Sequence, residues 1–137
     1  MGTFISFPVE DVNRSREFYA ALGWRLNDEY SSDGGACFDL NEHTSIMAVS
    51  REAYASVGGT EDLVGGPGTA SPVTVSFALE SQEEVDALVV AAEAAGARVG
   101  AIDDYGFMYQ RQFDDPDGYH YSPFWVRPEG SEPADPA

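Results

Sequence analysis

The sequence predicts an α+β fold made of two βαβββ modules, related by pseudo-twofold symmetry, whose strands form a curved mixed sheet around a cleft. Three observations predict it. Ile5, Ser6, Phe7, Val9, Glu10 and Asp11 are answered by Val75, Ser76, Phe77, Leu79, Glu80 and Ser81 at an offset of 70 residues, as two copies of one supersecondary unit require. Each copy then changes from a two-residue alternation to helical spacing, and beyond the helix Gly23, Arg25 and Leu26 are answered by Gly96, Arg98 and Val99. Between the copies, residues 58–72 hold five Gly and two Pro, a composition that interrupts regular structure.

In the first module, 1–57, residues 3–9 alternate: Ile5, Phe7 and Val9 fall on one face, Phe4, Ser6 and Pro8 on the other, as in a half-buried strand. Asp11 is placed to cap a helix running to about residue 22, with Val12, Phe18, Tyr19 and Leu22 on its apolar side and Gly23 free to take the left-handed conformation that ends it. Strands are expected at 24–30, 36–40 and 44–50, separated by the turn-forming segments 31–35 and 41–43. Residues 51–57 fit a helical turn, and 58–72 form the connector.

The second module, 73–126, opens on Val73, Val75, Phe77 and Leu79 alternating with Thr74, Ser76 and Ala78. Ser81 and Glu84 have capping-box spacing ahead of Val85, Leu88, Val89 and Ala92 at helical intervals, and Gly96 stands where Gly23 stood. Strands are expected at 98–102, 107–113 and 119–126, the last two joined by Asp115-Pro116-Asp117-Gly118. Residues 127–137, rich in Pro, Glu and Asp, are expected to form a disordered acidic tail.

Composition removes several function classes. A 43% hydrophobic and 12% aromatic content suits a packed domain. Net charge is −17, and all seven basic residues are Arg, with no Lys. No basic stripe is available to displace counterions from nucleic acid or to hold an anionic membrane. Cys37 stands alone, so no intramolecular disulfide can form, and its apolar surroundings mark it as core filler. The N-terminus has no basic segment followed by an apolar stretch, and no run approaches a membrane span, so a cytoplasmic location is expected.

Val9-Glu10-Asp11-Val12, Ser15, Phe18-Tyr19 and Leu22-Gly23, followed late in the chain by Asp115-Pro116-Asp117-Gly118, resemble the vicinal oxygen chelate superfamily across residues 3–126. That superfamily includes glyoxalase I, extradiol dioxygenases, and fosfomycin- and bleomycin-resistance proteins. Gly106-Phe107-Met108-Tyr109 resembles its small bacterial glyoxalase-like members in particular. In metal-using members, the resemblance implies, ligands come from the first and last strand of each module, around a cleft that the modules enclose. Those positions here carry Phe4, Met47, Thr74 and Ser122. None offers the imidazole, carboxylate or thiolate a divalent metal needs, and residues 1–9 and 70–79 hold no ionisable side chain to take their place. No metal and no other cofactor is therefore expected.

The cleft lining implied is Phe4, Ser6, Met47, Thr74, Ser76, His120, Ser122 and Phe124, aromatic and thioether surface with hydroxyls and one imidazole to orient a polar group. His120 shares the parity of Ser122 and is the candidate acid or base. His43, near a turn, is the other candidate, and a rearranged metal set would include His43 or His120. Asp115 and Asp117 have the context of a tight hairpin and read as structural, as do Asp103 and Asp104 before Tyr105-Gly106. No Gly-x-Ser-x-Gly elbow supports a hydrolase, and Gly65-Gly66-Pro67-Gly68 lacks the Lys of a phosphate loop. The expectation is a small-molecule binding protein, for an antibiotic or a metabolite, that has lost its metal site. The alternatives are a lyase, isomerase or dioxygenase-like enzyme of the same superfamily, metal-free through His120 or with a rearranged metal site, and a paralogue whose cleft is closed. The resemblance also implies a homodimer.

Overall fold

A computed structural model describes residues 2–56 and 71–129. The connector, apart from 71–72, the tail beyond Glu129 and the glycine-rich segment 65–68 lie outside the described residues. The chain runs β1 (Thr3–Val9), α1 (Val12–Ala21), β2 (Arg25–Leu26), a 3-10 turn (Asp28–Tyr30), β3 (Gly35–Asp39), β4 (Thr44–Ser50) and α2 (Arg51–Ser56). The second module follows as β5 (Thr74–Ala78), α3 (Gln82–Ala94), β6 (Arg98–Val99), β7 (Asp103–Asp104), β8 (Met108–Gln110), β9 (Phe113–Asp114) and β10 (His120–Val126).

The fold is α+β with two βαβββ units, and its strands fall into two mixed sheets rather than one. The first is ordered β1-β4-β3-β2, with β1 parallel to β4 and the other pairs antiparallel. The second is ordered β6-β9-β10-β8-β7, with β5 added in parallel to β10. β1 is an edge strand, the position that tolerates Pro8. Among the described residues no helix is long and apolar enough to cross a membrane.

Local chemistry explains the helix ends. The Asp11 side chain accepts from Arg14 N at 3.2 Å, and Gly23, at φ 85°, turns the chain out of α1. Ser81 Oγ accepts from Glu84 N at 3.1 Å, while the Glu84 carboxylate reaches back to Glu80 N at 2.9 Å, one residue before the cap. Gly96, at φ 106°, ends α3.

Three strands differ from expectation, each for a visible reason. The strand expected at 24–30 stops at Leu26, because Ser31 Oγ accepts from Cys37 N and donates to Asn27 O, taking the backbone groups that would have continued the β2–β3 ladder. The strand expected at 107–113 is divided into β8 and β9. Opposite the break stands Pro123, which accepts from Arg111 N but has no N–H to return. The strand expected at 98–102 divides in step: Val99 pairs with Phe113, whereas Asp103 pairs with Gln110.

One core serves both modules. Phe7, Phe18, Tyr19, Phe38 and Ile46 of the first pack in a single buried cluster with Val75, Val89, Phe113, Tyr119 and Tyr121 of the second. Phe7 stacks on Tyr119 with ring centroids 4.3 Å apart, and Phe113 stacks on Tyr121 at 5.2 Å. The helix-covered faces of the two sheets thus meet each other, and the opposite, open faces turn away from the shared core.

Candidate functional site

β-strand parity puts all eight expected lining residues on those open faces, in two groups. Phe4 and Ser6 on β1 share a face with Met47, which stands opposite Ser6 on β4. Thr74 stands opposite His120, and Ser76 opposite Ser122, with Phe124 further along β10. Phe4, Ser6, Thr74 and Ser76 are exposed, Met47, His120 and Phe124 partly buried, and Ser122 buried.

The second-sheet group carries an organised polar array. His120 Nδ1 lies 2.6 Å from Asp114 Oδ1, the carboxylate directly across the β9–β10 pair. That contact fixes the orientation of the imidazole ring and turns its Nε2 edge away from Asp114. Gln110 Nε2 donates to Ser122 Oγ at 2.6 Å, and Gln112 Nε2 to Asp103 Oδ2 at 2.7 Å.

The first-sheet group borders a pocket of about 350 Å3. Phe4, Arg25, Asn27, Tyr30, Asp39, Ser45 and His43 contribute to its lining. Of the eight expected residues only Phe4 belongs to it. Asp39 Oδ1 accepts from Ser45 Oγ at 2.9 Å and Asn27 Nδ2 at 3.3 Å, and Arg25 approaches Asp39 Oδ2 at 3.4 Å. His43 precedes β4, is exposed, and lies 3.5 Å from Glu42. Cys37, on the same face of β3 as Asp39, is fully buried, and burial raises its thiol above the ordinary range, as suits an inert core residue.

Asp115 and Asp117, read from sequence as hairpin residues, also join the modules. Gly118 N donates to Asp115 O at 2.9 Å to close the turn, with Gly118 at φ 89°. Asp115 Oδ1 accepts from Asp117 N and Tyr119 N, while the Tyr19 hydroxyl donates to Asp115 Oδ2 and lies 2.6 Å from the Tyr121 hydroxyl. Tyr119 donates to Pro8 O at 2.6 Å on the free edge of β1. Burial pushes the Tyr19 and Tyr121 hydroxyls well above their ordinary value, so both remain neutral donors.

Burial also pushes the Asp115 carboxyl up to about 6, against the hydrogen bonds it accepts. A carboxyl whose folded value exceeds its unfolded one contributes stability that is complete below about pH 4 and is lost as pH rises through 6. The rise from 3.8 corresponds to at most about 3 kcal/mol. Denaturant titrations between pH 4 and 8 should therefore show a smaller fall in stability for Asp115→Asn than for the parent chain. An identical pH dependence in both would remove this role.

The donor set does not fit a catalytic metal. Among the described residues no group of three or more His, Cys, Asp or Glu is placed to hold one. The four positions implied by the resemblance carry a phenyl ring, a thioether and two hydroxyls, and Ser122 Oγ is engaged by Gln110.

The family model described as Glyoxalase/Bleomycin resistance protein/Dioxygenase superfamily matches residues 3–121. Similar solved structures include a hypothetical protein from S. aureus, 24% identical over 92% of each chain with a TM-score of 0.72. A glyoxalase/bleomycin resistance protein/dioxygenase family enzyme from Burkholderia phytofirmans PsJN is 23% identical over 90% of this chain and 97% of that one, at 0.72. A glyoxalase-related enzyme from Fulvimarina pelagi is 18% identical over 98% and 95%, at 0.73. These likenesses establish the shared fold. No curated protein matches the chain.

The sequence reading missed Asp114, Gln110 and the pocket residues Arg25, Asn27, Tyr30 and Asp39. A signal for Asp114 was present: the turn centred on Pro116-Asp117 pairs the residue before Asp115 with the one after Tyr119, hence Asp114 with His120.

Proposed function

The chain belongs to the Glyoxalase/Bleomycin resistance protein/Dioxygenase superfamily, and from that premise we propose that it is a metal-independent receptor for an organic small molecule, an antibiotic or a metabolite. The observation that carries this reading is the substitution of Phe4, Met47, Thr74 and Ser122 at the positions where metal-using relatives place ligands. Support also comes from the pocket beside Phe4, whose size accommodates a small organic ligand. The chain acts as a homodimer: both open faces turn away from the shared core, and a second copy laying its second sheet over the partner's first would close a cleft lined from both sides.

A thermal-shift screen of chelator-treated protein tests the reading. A ligand present at a hundred times its dissociation constant adds about 2.7 kcal/mol, a rise of roughly 5 to 10 °C for a domain of this size. The expected result is at least one stabilising molecule whose effect survives chelation. Turnover of a substrate without any such ligand would overturn the reading.

The His120–Asp114 pair favours a second reading, an enzyme using His120 as acid or base. It requires a pH-dependent rate that His120→Ala abolishes; an unchanged rate in His120→Ala excludes it.

A further inference from the structure

The pocket on the first sheet has a chemistry that narrows what it can hold. Phe4 and Tyr30 are 45% and 50% exposed, and their rings meet edge to face with centroids 5.1 Å apart. Aromatic side chains left this far out of the core, at the wall of a pocket, offer π faces to whatever enters. Beside them sits the Asp39 carboxylate, its side chain only 22% exposed. The two hydrogen bonds it accepts at Oδ1, from Ser45 and Asn27, orient the carboxylate but leave its charge in place. Among the described residues the cation paired with it is loose: Arg25 reaches Oδ2 through a single nitrogen at 3.4 Å, with 82% of its side chain in solvent. Such a contact contributes little and is readily exchanged. Glu42 adds a second carboxylate to the lining.

We infer that this pocket selects an organic monocation, an ammonium head on an apolar body. The head replaces the Arg25 guanidinium against Asp39, and the body lies against Phe4 and Tyr30. An anion in the same place would meet Asp39, Glu42 and the field of a chain carrying a net charge of −17, which concentrates cations and excludes anions. A neutral molecule would gain the ring contacts and lose the carboxylate. The inference rests on the reading of the chain as a small-molecule receptor and supplies the ligand class for it.

Calorimetric titration at low ionic strength with 3-phenylpropylamine, 3-phenylpropanol and 3-phenylpropionate compares three head groups on one body. The amine should bind about tenfold more tightly than the alcohol, and the propionate should not bind, as charge complementarity requires. Arg25→Ala should tighten amine binding about threefold by removing the competing cation, and Tyr30→Ala should weaken it about threefold. Asp39→Asn should erase the preference for amine over alcohol. Both Arg25 and Tyr30 are surface side chains, so their replacement leaves the fold intact if Asp39→Asn does not. Alcohol or propionate binding as tightly as the amine overturns the inference and leaves the receptor reading standing. Weaker amine binding in Arg25→Ala, or no binding of any of the three, also overturns it; the receptor reading is then decided by the thermal-shift screen.

Discussion

Replacing Asp117 with Ala lowers the unfolding free energy by about 3 kcal/mol in urea denaturation, toward the lower end of what breaking a buried ion pair costs. Asp117 is fully buried, yet among the described residues every hydrogen bond to its carboxylate comes from the other module. Glu10 N donates to Oδ1 at 3.1 Å, Arg14 Nη2 to the same oxygen at 2.9 Å, and Ser15 Oγ to Oδ2 at 3.4 Å. Alanine strands a backbone donor and a buried hydroxyl, and it leaves the Arg14 guanidinium without its counter-ion. Arg14 keeps 38% of its side chain exposed and so recovers part of its hydration, which is why the loss falls at the lower end. Because the two modules still share one buried core, unfolding remains one transition, shifted to lower denaturant. A loss under about 1 kcal/mol would place Asp117 among ordinary surface turn residues.

Phe113→Ala should cost about 3–5 kcal/mol by the same measurement. The ring is 1% exposed, stacked on Tyr121 at an interplanar angle of 12°, and tilted against Phe18 of α1 with centroids 6.3 Å apart. Its neighbours are themselves rings on a strand and a helix, so the space left by truncation cannot close by local side-chain movement. Phe107, 67% exposed on the β7–β8 connection, provides the contrast: Phe107→Ala should change stability by no more than about 0.5 kcal/mol. Equal losses at the two positions would contradict a core shared by both modules.

What the sequence made legible was what its local chemistry decides. Alternation located β1 and β5 with the correct faces, and Asp11, Gly23, Ser81 and Gly96 marked the helix ends through capping and left-handed turns. The divided strands turn on pairings between distant residues. Pro123 has its consequence at Arg111, and Ser31 has its consequence at Cys37, neither of which a propensity window reads. The Asp115-to-Gly118 turn was recognised for its dihedral needs. Its reach to Tyr19, Glu10 and Arg14 was not, because nothing near it in the sequence specifies those partners.

The candidate site divides in the same way. Parity placed eight residues on the open faces, since strand periodicity fixes the side on which a residue stands. Parity does not give depth, so the pocket formed by β2, β3 and the 3-10 turn around Phe4 had no counterpart in the sequence pattern. The Asp114 partner of His120 was missed, although the register of the hairpin encodes it.

The proposed loss of the metal site is tested most directly by elemental analysis of untagged protein purified without chelator. The account predicts Zn, Fe, Mn and Ni each far below stoichiometry, because Phe4, Met47, Thr74 and Ser122 offer such an ion no adequate set of donors. One of these metals at a full equivalent per chain, held by this protein's own side chains, would contradict it.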